Sequence, residues 1–225
     1  MNKTNIEWCD YTVNPVKGLC PMACSYCYAR RMYKRFKWNP NIRAGWQVIG
    51  ELPSKPSRIF VGSTIELFGE WVKHEWMREI MQWPARYPQH TFIFLTKQPQ
   101  NLTKFSPFPE NCWVGVSAVN SFKAIEGLEY LDEVEADIKF LSLEPLLDWQ
   151  PGLIHFTGDV INWLIIGQQT PVKLSTMPKP GWVEEIIQSA DKANIPVFLK
   201  DNLISCVDQY EFAIKDGKYR QEMPK

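Results

Sequence analysis

Uninterrupted apolar runs recur along the chain, separated by segments in which apolar residues return every three to four positions. The runs are 58–62 (RIFVG), 91–96 (TFIFLT), 112–117 (CWVGVS), 138–143 (IKFLSL), 161–167 (INWLIIG) and 195–200 (IPVFLK). Runs that do not alternate with polar residues read as strands buried on both faces, and such strands pair in parallel beneath covering helices. Between them, residues 70–87 (with Trp71, His74, Met77 and Met81), 121–131 and 182–193 have helical spacing. A strand-like stretch at 8–13 brings the candidate strands to seven.

Strand and helix therefore alternate, which predicts an α/β fold with a parallel sheet and outer helices. Right-handed crossovers curl such a sheet, and a full eightfold barrel takes about 250 residues. At 225 residues the expectation is a single domain, 1–225, built as a partial (β/α)6-type TIM barrel.

Chemistry in these architectures lies at the C-terminal ends of the strands. Here those ends are polar: Gly62, Ser63 and Thr64 with Glu66; Thr96, Lys97 and Gln98; Ser117 with Asn120; Ser142 with Glu144; Gly167 to Thr170; and Lys200 to Asn202. Any one of them taken alone reads first as a turn or helix cap. Six together predict a pocket, with the Pro-rich 171–180 stretch as a loop over it.

Composition sets the class. With 25 Lys plus Arg against 25 Asp plus Glu, 45% apolar residues, 10 Trp and 6 Cys, the chain is an ordinary folded protein with an aromatic-rich core, and disorder, collagen and disulfide miniproteins are excluded. Zero net charge lacks the footprint of a general nucleic-acid binder but leaves room for a local basic face. One candidate is Arg30, Arg31, Lys34, Arg35 and Lys37 interleaved with Tyr28, Tyr33, Phe36 and Trp38. It reads either as a solvated helix face with an aromatic stripe or as a contact for phosphates and stacked bases. No apolar stretch nears the ~18 residues of a membrane span, and residues 1–15 lack a signal-peptide core. The expectation is a cytoplasmic protein with no membrane partner.

The sharpest chemical signal is Cys20-Pro-Met-Ala-Cys24-Ser-Tyr-Cys27, just after the first strand candidate. Structural zinc takes four ligands, and no second Cys or His pair follows. Cys9, Cys112 and Cys206 stand apart and read as buried small residues, while His74, His90 and His155 form no zinc pattern. A cubane iron-sulfur cluster held by three cysteines keeps one iron free of protein ligands, where a small molecule can chelate.

The C-x-x-x-C-x-x-C spacing, with Tyr26 directly before the last cysteine, resembles the signature of the radical S-adenosylmethionine (SAM) superfamily. The resemblance implies that Cys20, Cys24 and Cys27 hold a [4Fe-4S] cluster. Its open iron would chelate SAM, and reduction by an external electron donor would release a 5′-deoxyadenosyl radical that abstracts hydrogen from a substrate. Around it, Gly62, Ser63 and Thr64 would meet the SAM amino group, Ser117 and Asn120 the ribose, and Glu144 the sulfonium or ribose. Tyr26 and Lys97 would complete the cofactor-binding set, Lys97 through a carboxylate or phosphate. Lys200 carries the same anion-binding expectation.

From IEWCDYTVNPVKG to IPVFLK, through IFVGSTIELFGEWV, FIFLTKQPQNL, NCWVGVSAVN, KFLSLEPLL and INWLIIGQQT, the chain also resembles the phage Gp37/Gp68-like family, DUF5131. Members look distantly similar to the spore photoproduct lyase branch of radical enzymes, which implies a nucleotide or nucleic-acid substrate. By analogy with that branch, Cys206 is the candidate hydrogen-donating catalytic residue. Where relatives commonly read Gly-Gly-Glu-Ser-Gly, this chain has Gly167-Gln168-Gln169-Thr170 and lacks the carboxylate. The competing reading is a non-catalytic iron-sulfur or zinc protein that binds nucleic acid or senses redox state, its cluster closed by Cys9 or another side chain.

Overall fold

The computed structural model describes residues 2–46 and 52–224. In chain order its elements are β1 (Asn2–Lys3), β2 (Tyr11–Val13), β3 (Val16–Lys17), α1 (Tyr28–Phe36), β4 (Arg43–Ala44), β5 (Arg58–Val61), α2 (His74–Ile80), α3 (Trp83–Arg86), β6 (Thr91–Thr96), β7 (Cys112–Ser117), α4 (Ser121–Asp132), β8 (Ile138–Leu143), β9 (Trp163–Ile166), α5 (Pro180–Lys192), β10 (Val197–Leu199), α6 (Ile204–Val207), β11 (Ile214–Lys215) and β12 (Lys218–Tyr219). The main sheet has the order β1-β2-β5-β6-β7-β8-β9-β10. Only β1, at the edge, is antiparallel to its neighbour; the other seven strands run parallel. The apolar runs thus became strands as their lack of alternation demanded, and the seven parallel strands are the seven candidates, one more than a (β/α)6-type barrel holds.

Each face of the sheet buries its own cluster. The helix side holds Ile59, Val61, Phe92, Phe94, Val114, Val116, Leu141, Leu143, Leu164 and Ile166 against residues such as Ala124, Leu131, Val183 and Ile187 of α4 and α5. The opposite face is floored by large rings: Trp8, Phe60, Phe140, Trp163 and Phe198, with Trp113 partly buried beside them. Gly115 in β7 makes room for that floor, because a Cβ there would lie 2.4 Å from the Phe140 ring.

The floor also reports that the sheet is curled. Strands lie about 4.8 Å apart, so β2 and β9, five pairings apart, would stand roughly 24 Å from each other in a flat sheet. Yet Trp8, from the turn before β2, packs edge-on against Trp163 of β9 with ring centroids 6.4 Å apart. Among the described residues β2 and β10 do not pair, so the barrel is open. The gap is bridged instead by Glu7, which accepts from the Asp201 N–H at 3.0 Å and faces the Lys200 ammonium at 3.5 Å. The outer edge of β10 is covered by the C-terminal segment, through Leu199 N–H to Arg220 carbonyl and Glu222 N–H to Val197 carbonyl, which blunts an otherwise free edge.

Two expectations change in detail. The helix predicted over 70–87 is two short ones, α2 and α3, because Pro84 has no N–H to continue the ladder and its ring would clash one turn back. The strand predicted at 8–13 shortens to 11–13, with Trp8 turned into the interior rather than paired. No helix among the described residues is long and apolar enough to cross a membrane.

Candidate functional site

Strand alternation decides which side chains reach the inner face above the aromatic floor. Phe140 points inward, so Ser142 and Glu144 follow it. The same count brings Ser117 in line with Trp113, and Lys97 with Ile93. The result is a polar layer at the C-terminal mouth: Asn14, Ser63, Lys97, Ser117, Ser142, Glu144 and Lys200.

All of the layer but Ser142 is internally bonded. Asn14 gathers the loop after β5: its amide donates to Ser63 Oγ at 3.1 Å, and its carbonyl accepts from the Thr64 N–H and hydroxyl, both at 3.0 Å. Gly62 turns the chain there with φ +84°, and a Cβ would meet Leu67 at 2.4 Å, so only glycine fits. Lys97 donates to Ser117 Oγ and lies 5.6 Å over the Tyr26 ring, a cation–π contact. Ser117 in turn donates to the Glu144 carbonyl at 3.3 Å. Glu144 accepts from Lys200 at 2.6 Å, and this pair lies directly over Gly167, where a Cβ would come within 3.1 Å of both side chains.

Burial and charge set the protonation tendencies. Burial pushes Lys97 below the ordinary lysine value, against the opposing pull of Cys24, Glu66, Glu144 and Cys27. Lys200 is also penalised by burial, but the Glu144 charge and hydrogen bond, joined by Glu7, more than offset it and hold the ammonium on. Burial raises Glu66, whose carboxylate accepts from Thr96 Oγ1 and Lys97 N–H at 2.7 Å each and from Phe68 N–H at 3.1 Å.

The three-cysteine loop sits against this layer. The Glu66 N–H points at Cys20 Sγ at 3.5 Å, Tyr28 Oη donates to the Ser63 carbonyl at 2.6 Å, and Gln98 Nε2 approaches Met22 Sδ at 3.1 Å. Cys27 caps α1, its sulfur accepting from the Arg30 N–H at 3.5 Å, while the Arg30 guanidinium holds the Cys20 carbonyl at 2.8 Å. Ala23, between the first two cysteines, is held left-handed at φ +50°, a conformation that costs a non-glycine residue about 1 kcal/mol. All three thiols are unbonded to one another and half-buried. Among the described residues no three metal-binding side chains already converge.

Two observations bear on whether a cluster and SAM suit these residues. The donor set is chemically apt: three thiols on one short loop, two of them already accepting backbone N–H bonds of the kind that tune iron-sulfur sites. Beneath the mouth, the Ser142 hydroxyl is fully buried with no hydrogen-bond partner, and a buried hydroxyl left unpaired is costly. A polar ligand entering the mouth could satisfy it.

Other expected residues are placed less centrally. Asn120 is spent as the cap of α4, accepting from Lys123 N–H at 2.9 Å. Cys206 packs in the helix-side cluster, its thiol donating to the Pro178 carbonyl at 3.1 Å, and does not join the mouth residues. Thr170, the residue before the 171–180 loop, is tied to α1 where Arg31 donates to its carbonyl. Sequence reasoning passed over Asn14 and Glu7. Asn14 ends a strand like the others and could have been found by the same rule; Glu7 precedes its strand, and only the curl brings it to Lys200.

The DUF5131 family, whose description is "protein of unknown function", matches residues 3–204, and the chain belongs to it. No curated protein matches the chain. The fold is similar to that of a double mutant of spore photoproduct lyase with bound AdoMet and dinucleoside spore photoproduct, at 12% identity and a TM-score of 0.51. The match covers 86% of this chain and 64% of that one, so this chain spans less than two thirds of that protein's length.

Proposed function

We propose that this member of the DUF5131 family is a radical S-adenosylmethionine enzyme. The observation that carries the reading is the docking of a three-cysteine loop at the mouth of a curled parallel sheet, beside a bonded polar layer and above the orphaned Ser142 hydroxyl. Cys20, Cys24 and Cys27 would hold a [4Fe-4S] cluster, and the strand-end layer would hold SAM. Once bound, the two cofactors would supply one-electron cleavage of the sulfonium and a 5′-deoxyadenosyl radical able to abstract hydrogen, with an external protein or chemical donor giving the electron.

The chain's own groups bind and orient. The N–H groups of Glu66 and Arg30 stabilise negative charge on the Cys20 and Cys27 sulfurs. Lys97, beside Cys24 and Cys27 and bonded only to a hydroxyl, offers an ammonium for a carboxylate. Ser117 offers a hydroxyl for the ribose, and Glu144, held by Lys200, offers its second carboxylate oxygen. The aromatic floor closes the site from below and excludes water, which strengthens every charge interaction above it. Nucleotides or nucleic acid are the substrate class favoured: the structural neighbour holds a dinucleoside, and the basic helix α1 is capped by Cys27.

Anaerobic reconstitution tests the cluster assignment. The wild-type chain is expected to bind about four iron and four sulfide, and SAM is expected to alter the electron paramagnetic resonance spectrum of the reduced cluster. The Cys20→Ala, Cys24→Ala, Cys27→Ala triple variant should bind no cluster. Full iron retention in that variant overturns the assignment, and a spectrum indifferent to SAM favours the competing reading of a closed, non-catalytic cluster.

A further inference from the structure

Charge is distributed unevenly in this neutral chain. Residues 11–50 contain seven Lys or Arg and no Asp or Glu, while the remaining residues carry 18 against 25. Five of the seven lie at 30–37, on α1 and its C-cap. Among the described residues none of Arg30, Arg31, Lys34, Arg35 and Lys37 forms an ion pair; Arg30 and Arg31 donate only to carbonyls. Lys34 and Arg35 favour the C-terminal end of the helix dipole, but that accounts for two cations of five.

Aromatic rings are interleaved with the charges on the same surface. Phe36 and Trp38 are about half exposed and stack on each other, with centroids 5.5 Å apart and planes 24° apart. Arg35 lies 5.3 Å over the Phe36 ring, and Tyr33 packs edge-on against Trp38. Beside them an open cleft of about 430 Å³ runs between Arg30, Arg31, Tyr33, Lys34 and Trp38. Exposed stacked rings flanked by unpaired cations match a ligand that is both polyanionic and π-faced. An acidic peptide would use the charges and leave the rings idle, and a duplex would hide its base faces.

We propose that α1 and the 38–40 turn form a docking surface for single-stranded nucleic acid, phosphates on Arg31, Lys34 and Arg35 and a base on Trp38. The inference deepens the proposed function and rests on it for what happens to the bound strand, since Cys27 caps the start of α1. Nine helical residues rise about 13 Å, the length of roughly four stacked nucleotides at ~3.4 Å each. A strand lying along α1 therefore reaches from Trp38 to the mouth.

The test is fluorescence anisotropy of labelled oligo-dT with the full reconstituted chain across a salt series, with 5′-deoxyadenosine formation measured on the same preparation. Oligo-dT should bind more tightly than a duplex of equal length. Lys34→Glu with Arg35→Glu should weaken binding at least tenfold and reduce the salt slope by about 1.4, the value for two phosphate contacts on a single strand. Trp38→Ala, which changes no charge, should weaken it about fivefold or more. Polyglutamate is the competing probe. Equal competition by polyglutamate with no effect of Trp38→Ala overturns the inference in favour of a generic acidic partner, as does wild-type affinity in the charge-reversed variant. A chain that forms 5′-deoxyadenosine yet binds no oligonucleotide also refutes it and leaves the proposed function standing; binding without cleavage does the reverse.

Discussion

Glu144 shows how much a residue's meaning depends on its partner. A carboxylate ending a buried strand needs either a cationic neighbour or a cationic ligand; the structure supplies the neighbour in Lys200, itself an ammonium at the end of another buried strand. Glu7 adds a second carboxylate at 3.5 Å, so Lys200 holds together two acids that approach from opposite sides of the open barrel. Lys200→Ala would leave those acids facing one another without a cation. It is expected to cost about 2 kcal/mol in urea unfolding, less than the ~3–5 kcal/mol of a fully buried broken pair, because the Lys200 and Glu144 side chains keep 13% and 25% exposure. An unchanged unfolding midpoint would contradict the clasp. The polar character of both residues was legible from their position at strand ends; their pairing was not, because it depends on the curl of the whole sheet.

The existence of the strands was more legible than their ends. β6, β7 and β8 start and stop at the residues their apolar runs mark, whereas β9 and β10 occupy only 163–166 and 197–199 of the runs 161–167 and 195–200, because apolar residues there continue past the last paired positions. The C-terminal segment had no such signal. It is held by Arg220, only 4% exposed, which donates to Asp191 of α5 at 2.6 and 2.8 Å and to Glu222 at 2.7 Å. The Arg220 hydrogen bonds hold the Asp191 carboxyl below the usual carboxylate range. A carboxyl lowered in the folded state stabilises fully above its unfolded value of about 3.9, and that stability is lost as pH falls through this value towards the folded one. Asp191→Asn should therefore lower stability at pH 7 by about 1 kcal/mol, a figure discounted for its exposed side chain, and flatten the loss that sets in below about pH 4. Parallel acid-unfolding curves for the two proteins would show that the contact does not anchor the segment.

At the scale of the whole molecule, one curled sheet performs two tasks: its outer face packs helices and its inner face carries aromatic rings below and polar groups above. Trp163 sits at the centre of the lower layer, packed on Trp8, Trp113, Phe140 and Phe198, with its indole N–H donating to the Glu222 carbonyl at 2.8 Å. Trp163→Ala should cost about 3–5 kcal/mol, seen as a shift of the thermal midpoint; a shift comparable to that of an exposed-site control such as Phe122→Ala would mean the rings do not hold the curl. The mouth above them is where the three-cysteine loop docks, and the claim that joins motif, curl and polar layer is that SAM is cleaved there. The most direct measurement is chromatography of the reconstituted, reduced chain incubated anaerobically with SAM. The account predicts 5′-deoxyadenosine and methionine from the wild type and neither from the chain lacking Cys20, Cys24 and Cys27. A reduced four-iron cluster that leaves SAM intact and unbound would contradict it.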